Sequence, residues 1–182
     1  MTRRPAGPRV TGRAARRGMA ALALLAALGA GGGTIVRAAD PAPSDPTAFA
    51  GAADVRAQVA AMERDMKPGQ GFLWRALVRG GPVVAGLEVW RAPGRPAVHP
   101  TDAEYATVIA GTGTLVSGGT LADPQVRNPG LTEGSRIEGG TTRALKPGDV
   151  MLIPAGTPHW FGITGPRLVL LGIKLPRPAA NP

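Results

Sequence analysis

Hydrophobic and polar residues change their pattern twice along this chain of 182 residues. A short apolar run follows an arginine-rich start, residues 47–66 have helical periodicity, and short apolar or alternating runs fill the chain after Gly71. Alternation with a period of two indicates strands, whereas spacings of three and four residues favour a helix. The pattern therefore predicts one short helix followed by a β domain.

The helical segment begins near Thr47, and either Thr47 or Ser44 is a suitable cap for its first turn. Proline and glycine in the sequence KPGQG end it at Lys67, because both residues interrupt helices. A proline-rich linker, DPAPSDP at residues 40–46, precedes it. We expect a helix of about four turns that leads into the β domain.

The β domain is indicated by seven runs, which glycine and proline separate at intervals of roughly eight to twelve residues. The runs are FLWRALV, PVVAGLEVW, ATVIAGTGTLV, TTRAL, DVMLIPA, HWFGIT and RLVLLGIKL. No helical pattern lies between them, so the spacing favours an antiparallel sandwich or barrel over βαβ units. Residues 118–140 consist mostly of turn-forming residues and predict a long excursion between strands.

The start of the chain has the features of a secretory signal. Residues 1–17 contain six arginines and no acidic residue, an apolar run begins at Met19, and small residues lie at Val36, Ala38 and Ala39. The apolar run is about a dozen residues long, which is too short for the roughly twenty that a permanent membrane span needs. Because arginine pairs precede the run, a twin-arginine signal, which exports a folded protein, remains an alternative.

These segments give an expected organisation for the whole chain. Residues 1–38 form a cleaved signal peptide, residues 39–69 a linker and the short helix, residues 70–176 the β-barrel domain, and residues 177–182 a tail. The mature protein would then be periplasmic or secreted, with no permanent membrane span.

Removing the signal also changes the charge of the chain. The full chain carries a net charge of +9, but seven of its 21 basic residues precede Ala38 and none of its 12 acidic residues do. The remaining 14 basic and 12 acidic residues give +2, with no cluster that could follow a phosphate backbone, so we expect no nucleic-acid partner. The chain has no cysteine, which excludes disulfides and thiolate metal sites.

The chain contains only two histidines, and each lies in a segment of strand-like pattern. His99 lies in PAVHPTDAEYATVIAGTG together with Glu104, and His159 lies in KPGDVMLIPAGTPHWFGI. Strand alternation places small or apolar residues on the same faces as these three: Ala97 with His99, Ala106, Val108 and Ala110 with Glu104, and Phe161 and Ile163 with His159. A carboxylate among such residues is costly to bury unless a cation or hydrogen-bond donor meets it.

The two segments resemble the two sequence motifs of the cupin superfamily. The second motif has Gly148, five residues, Pro154, one residue, Gly156, two residues and His159; the first has His99, four residues, Glu104, six residues and Gly111. The resemblance covers roughly residues 70 to 175. Two positions depart from the family pattern: Ala97 stands where metal-binding cupins usually have a further histidine, and Ile163 where an asparagine is frequent.

The resemblance implies an all-β fold, a double-stranded β-helix or jelly-roll barrel, behind the short N-terminal helix. It also implies a divalent metal ion (iron, manganese, nickel or zinc) held by His99, Glu104 and His159 in the barrel mouth. Two histidines and one carboxylate are also the ligand set that leaves coordination positions open on non-haem iron. We expect the pocket around this site to be lined by Ala97, Ala106, Val108 and Phe161.

Several functions remain open at this point. With a metal, the protein would bind or transform a small molecule, and cupin enzymes include oxygenases, isomerases and decarboxylases. Without a metal, the same pocket would serve a non-catalytic ligand-binding protein, or the domain would be a structural, oligomer-forming module. Since cupins often pair exposed strand edges, we expect a homodimer.

Overall fold

The computed structural model describes residues 45–176, which form one helix and eleven strands. The predicted signal peptide and the tail at residues 177–182 lie outside the described residues. In chain order the elements are α1 (Ala52–Asp65), β1 (Phe72–Gly80), β2 (Val83–Trp90), β3 (Ala97–Val98), β4 (Asp102–Ser117), β5 (Thr120–Ala122), β6 (Gln125–Asn128), β7 (Leu131–Glu133), β8 (Arg136–Glu138), β9 (Thr141–Leu145), β10 (Val150–Ile153) and β11 (His159–Pro176).

Helix α1 begins later than the sequence predicts, so the caps expected at Thr47 or Ser44 are wrong. Gly51 is the N-cap, and its backbone N–H donates a 2.9 Å hydrogen bond to the carboxylate of Asp54 in the first turn. The backbone N–H of Thr47 instead donates to Asp45. Among residues 45–176, no helix is both long and apolar enough to cross a membrane.

The two longest strands, β4 and β11, run antiparallel to each other through both halves of the domain. In one half, β10 extends the sheet beside the start of β4, and β2 and β1 extend it beside the end of β11. In the other half, β9 extends it beside the end of β4, and β3, β7 and β6 beside the start of β11. This arrangement confirms the predicted all-β jelly roll.

A bend separates the two halves, and Gly111 lies on it. The φ angle of Gly111 is 77°, and a Cβ atom there would lie 2.1 Å from the carbonyl oxygen of Arg167. The pairing register of β11 is interrupted opposite this point, between Ile163 and Leu168. The runs HWFGIT and RLVLLGIKL, predicted as two strands, are therefore two parts of one strand that continues around the bend.

Alternation on β4 holds only as far as a second irregularity. Glu104, Ala106 and Val108 are buried as predicted, but Ala110 packs in the cluster on the other side of the sheet. The register shift lies between the partners of Val108 and Ala110, so Ile109 is an extra residue in β4. The extra residue reverses the face of everything beyond it, which a strict period of two cannot anticipate.

Two apolar clusters hold the domain together on opposite faces of one sheet. The inner cluster fills the space between the halves and contains Val108, Leu115, Leu145, Ile153, Phe161, Leu168 and Leu170. The outer cluster joins α1 to the sheet and contains Val59, Met62, Met66, Leu87, Val89 and Val169. Because Leu87 and Val89 face the helix, the residues that alternate with them, Glu88 and Trp90, face the interior.

The segment 118–140 is more ordered than its turn-rich composition predicts. It contains four short strands, of which β5 and β8 form a separate two-stranded sheet. Strands β6 and β7 form a hairpin that joins the main sheet through β3. The hairpin places Gly130, the residue before β7, next to His99.

Candidate metal centre

The structure brings the three predicted metal ligands together. One ligating atom each from His99, Glu104 and His159 can be chosen so that all three lie within 4.8 Å of one another. His99 lies between β3 and β4, Glu104 near the start of β4, and His159 at the start of β11. Glu104 and His159 are only 3% and 4% exposed. The set therefore stands at a buried meeting point of two long strands and a loop.

Both imidazole rings are oriented by backbone carbonyl groups. His99 Nδ1 lies 2.9 Å from the carbonyl oxygen of Gly130, and His159 Nδ1 lies 3.0 Å from that of Thr157. A carbonyl oxygen can only accept, so each Nδ1 carries a proton and donates it. Each Nε2 faces the carboxylate of Glu104, at 3.6 Å from His99 and 3.1 Å from His159. These outer hydrogen bonds hold each ring with Nε2 turned towards Glu104, which is the orientation in which histidine would bind a metal through Nε2.

A cation already lies between two of these donor atoms. Lys174 Nζ is 2.5 Å from Glu104 Oε2 and 2.7 Å from His99 Nε2. The ammonium group donates to both atoms, since it has no lone pair to accept with. The donor set is thus of the right chemical type for a divalent metal, and a positive charge is stable where a metal would bind.

The cluster shifts the pKa values of its members. Burial by itself would raise the pKa of Glu104, but the hydrogen bond from His159 and the charge of Lys174 outweigh burial and lower it to about 2. Burial, followed by the nearby charge of Lys174, lowers the pKa of His99. Glu104 is therefore an ionised carboxylate and His99 a neutral imidazole at neutral pH, which are the protonation states that bind metals.

A second buried carboxyl group, Glu88, lies on the wall of the same cavity. Its Oε2 atom accepts a 2.9 Å hydrogen bond from Trp90 Nε1. Burial, and next the charge of Glu104, raise the pKa of Glu88 to about 7. Carboxyl groups whose surroundings push their pKa values this far apart are typical of sites that use acid–base chemistry.

The site opens into a cavity of about 460 Å³, within the usual range for small-molecule sites. Five aromatic side chains line it: Phe72, Trp74, Trp90, Trp160 and Phe161. They include all three tryptophans and two of the three phenylalanines of the chain. Glycines leave room for two of the rings, because a Cβ atom on Gly86 or Gly94 would lie within 2.7 Å of Trp74 or Trp90 respectively.

Two of the four residues predicted to line the pocket do so. Ala97 and Phe161 are part of the cavity wall. Ala106 and Val108 are not: both are almost fully buried, and Val108 packs in the inner cluster. The predicted face of β4 is right, but Glu104 is the one residue of this strand on the cavity wall. Trp160, the neighbour of His159 on β11, also lines the cavity and donates a 2.8 Å hydrogen bond to the carbonyl oxygen of Gly94.

An arginine and a glutamate also line the cavity, Arg95 and Glu133. Glu133 lies in β7, within the segment that the sequence predicted as an excursion, and is paired with Arg127 at 2.8 Å and Arg95 at 3.7 Å. The hairpin of β6 and β7 therefore supplies both a wall of the cavity and the carbonyl group that orients His99.

Sequence patterns did not identify Lys174 or Glu88 as site residues. Each is the one charged residue within an apolar strand segment, LVLLGIKL and VVAGLEVW. A charged residue in such a segment must find a partner if it faces the interior. That signal was present in the sequence, but the facing of these strands could not be fixed without their neighbours.

We compared the sequence with models of known protein families and with known proteins. A family model described as Cupin matches residues 92–181, a span that contains His99, Glu104 and His159. No significant match was found among curated protein sequences.

Several solved structures resemble the chain at low sequence identity. Recombinant oxalate oxidase in complex with glycolate is 18% identical, with a TM-score of 0.43 over 61% of this chain and 54% of that chain. KdgF from Halomonas sp. is 20% identical, with a TM-score of 0.42 over 62% of this chain and 86% of that chain. FeII HppE is 14% identical, with a TM-score of 0.41 over 58% of this chain and 52% of that chain. The matched region thus spans about half the length of the oxalate oxidase, and these similarities are too low to transfer a substrate or reaction.

Proposed function

Because this chain belongs to the cupin superfamily, we propose that it holds a divalent metal ion between His99, Glu104 and His159 and binds or transforms a small molecule in the adjoining cavity. The observation that carries the proposal is the convergence of three suitable donor atoms within 4.8 Å at the base of an aromatic-lined cavity. Iron, manganese, nickel and zinc all accept histidine nitrogen and carboxylate oxygen.

The protein's own residues prepare the site for such an ion. Carbonyl groups hold both imidazole rings with Nε2 turned towards Glu104, and Glu104 stays ionised because its pKa is about 2. A bound divalent metal would supply Lewis-acid or oxygen-activating chemistry. Oxygenase, isomerase and decarboxylase reactions are all compatible with this donor set, and the fold does not choose among them.

The cavity favours a small organic molecule as the ligand. Its aromatic walls offer an apolar surface for a ligand body, while Glu88, Lys174 and Arg95 place polar groups at separate points around it. A largely apolar wall with a few fixed polar groups is typical of small-molecule sites. Glu88, with its pKa near 7, is the residue best suited to exchange a proton with the ligand at neutral pH.

Elemental analysis of the purified protein tests the metal site. Protein prepared without chelator should contain a near-stoichiometric divalent metal, and His99→Ala, Glu104→Ala and His159→Ala should each lose it while keeping the β-type circular dichroism spectrum. Glu133→Gln is the matched control, since Glu133 lines the cavity outside the donor set. Metal that persists in the three variants would place the site elsewhere.

A metal-free binding protein is the second candidate, favoured by one observation. The ammonium group of Lys174 already neutralises Glu104, and position 97 offers a methyl group where metal cupins usually have a further histidine. Absence of metal even after reconstitution, with small ligands still quenching the fluorescence of the cavity tryptophans, would support this second function over the first.

Export and dimerisation are further proposals. The arginine-rich head and apolar run support cleavage by a signal peptidase, and a mature N-terminus near Ala39 in the periplasm or medium would bear this out.

Strand β10 pairs only with β4 among the described strands, and its Val150 and Leu152 are 61% and 63% exposed. We expect a second copy of the chain to cover these residues, so that Leu152→Glu shifts the protein from dimer to monomer in sedimentation experiments.

A further inference from the structure

Lys174 is placed beside Glu104 by the sheet itself. The two residues are direct partners in the antiparallel pairing of β11 with β4. Directly opposed residues of an antiparallel pair project their side chains to the same face. The lysine therefore faces the metal ligands because of the pairing register, and any fold that keeps this register keeps the ammonium group at the site.

The ammonium group uses two of the three donor atoms of the candidate metal centre. Its nitrogen lies 2.5 Å from Glu104 Oε2 and 2.7 Å from His99 Nε2. A metal ion bound to His99 needs the single lone pair of Nε2, which the ammonium group already uses, whereas the carboxylate of Glu104 has further lone pairs. Two positive charges at this separation would also repel each other strongly in a buried setting. Lysine and metal therefore cannot share His99 Nε2, and the repulsion between their positive charges opposes their joint use of Glu104.

The side chain of Lys174 has room to move its ammonium group away from His99 and Glu104. Its side chain is 43% exposed, whereas that of Glu104 is 4% exposed, and lysine has a long flexible stem. Lys174 also lines a second cavity of about 370 Å³, in addition to the cavity of the candidate metal centre. Asp102 lines this second cavity, so a carboxylate other than Glu104 is near the path of a released ammonium group.

We propose that Lys174 is the resident cation of this site, and that a divalent metal binds only by displacing its ammonium group from His99 and Glu104. The inference rests on the proposed metal-binding function and adds a residue that sets its strength. Lys174 compensates the buried carboxylate while the metal is absent and competes with the metal when it arrives. The native protein then binds metal more weakly than its donor atoms alone would allow.

Metal titration of charge variants tests the competition. Lys174→Met keeps most of the side-chain length and removes the charge, and Lys146→Met is the matched control at an exposed turn. Zn²⁺ and Mn²⁺ affinities would be measured by competition with a chromogenic chelator, with thermal unfolding as a check that each variant folds. We expect Lys174→Met to bind at least tenfold more tightly than the native protein and Lys146→Met to match it.

The outcomes separate this inference from the metal-binding proposal. If the native protein binds metal and Lys174→Met binds it equally well or more weakly, the competing role of Lys174 is wrong. The metal-binding proposal is then still supported. Binding by Lys174→Met alone supports the role of Lys174 and contradicts metal binding by the native protein. If neither protein binds metal, both proposals fail.

Chemical labelling gives a second readout that needs no variant and no activity. The chain has only three lysines, Lys67, Lys146 and Lys174, so mass spectrometry after brief treatment with acetic anhydride reports on each of them. Saturating Zn²⁺ should raise the acetylation of Lys174 several-fold, because its ammonium group is released from its partners. Acetylation of Lys67 and Lys146, both exposed, should not change. An unchanged or reduced reaction at Lys174 in the metal-loaded protein would overturn displacement.

Discussion

Trp90 Nε1 donates a 2.9 Å hydrogen bond to Glu88 Oε2, from the position two residues further along the same strand. Both side chains face the interior, because the residues that alternate with them, Leu87 and Val89, face the helix. The indole N–H stabilises the ionised carboxylate, but burial and the nearby charge of Glu104 outweigh it and raise the pKa of Glu88 from 4.5 to about 7. Glu88 is thus a carboxyl group that titrates near neutral pH on the wall of the cavity.

This shift makes the free energy of unfolding depend on pH through Glu88. The folded protein holds the proton more tightly than the unfolded chain, so the stabilisation is complete below about pH 4.5 and is lost as pH rises to about 7. Urea unfolding in the presence of chelator should show the native protein losing about 3 kcal/mol relative to Glu88→Gln across this window. Parallel pH profiles for the two proteins would mean that Glu88 titrates normally.

The bend at Gly111 predicts a large difference between two glycine substitutions. Gly111 and Gly118 have the same φ angle of 77°, but an added Cβ atom meets the carbonyl oxygen of Arg167 at 2.1 Å only at Gly111; at Gly118 it meets nothing within 4 Å. Gly118→Ala should therefore lower the free energy of unfolding by about 1 kcal/mol, the cost of the left-handed backbone alone. We expect Gly111→Ala to cost about 2 kcal/mol more, because backbone atoms must move. Equal costs in chemical denaturation would contradict the close approach at the bend.

Met62 is the anchor of the helix on the outer face of the sheet. It is fully buried in the outer cluster with Val89 and Val169. Met62→Ala should lower the free energy of unfolding by about 2–5 kcal/mol, through lost burial and the cavity that remains. Arg56→Ala on the exposed side of the same helix is the control and should change it by no more than about 0.5 kcal/mol. Similar values for both variants in urea unfolding would show that the helix does not contribute to the core.

Position 97 predicts a gain of metal affinity. Ala97 lines the cavity and is a direct cross-strand partner of His159, so a histidine there would add a fourth donor beside the existing three. Ala97→His should tighten Zn²⁺ binding by about tenfold or more, since zinc prefers four ligands. Val98→His, on the opposite face of the strand, is the control and should leave the affinity unchanged. No gain in Ala97→His, measured by chelator competition, would mean that position 97 does not reach the ion.

The sequence by itself predicted the class of fold and named three candidate ligands. Short alternating runs separated by glycine and proline predicted an antiparallel sandwich or barrel. The resemblance to the two cupin motifs implied the jelly roll and named His99, Glu104 and His159, which the structure brings within 4.8 Å. Such information is local, because alternation and turn chemistry act over a few neighbouring residues. The extra residue at Ile109 shows where this local rule ends, since one bulge reverses the face of all later positions.

Only the tertiary structure decided what surrounds the ligands. Lys174 and Glu104 are 70 residues apart in the chain and meet because one pairing register of β11 on β4 sets them opposite each other. Glu88 and Trp90 face the cavity because α1 takes the other face of β2. Registers and packing between distant segments minimise the energy of the whole domain, and the sequence of either segment alone does not record them.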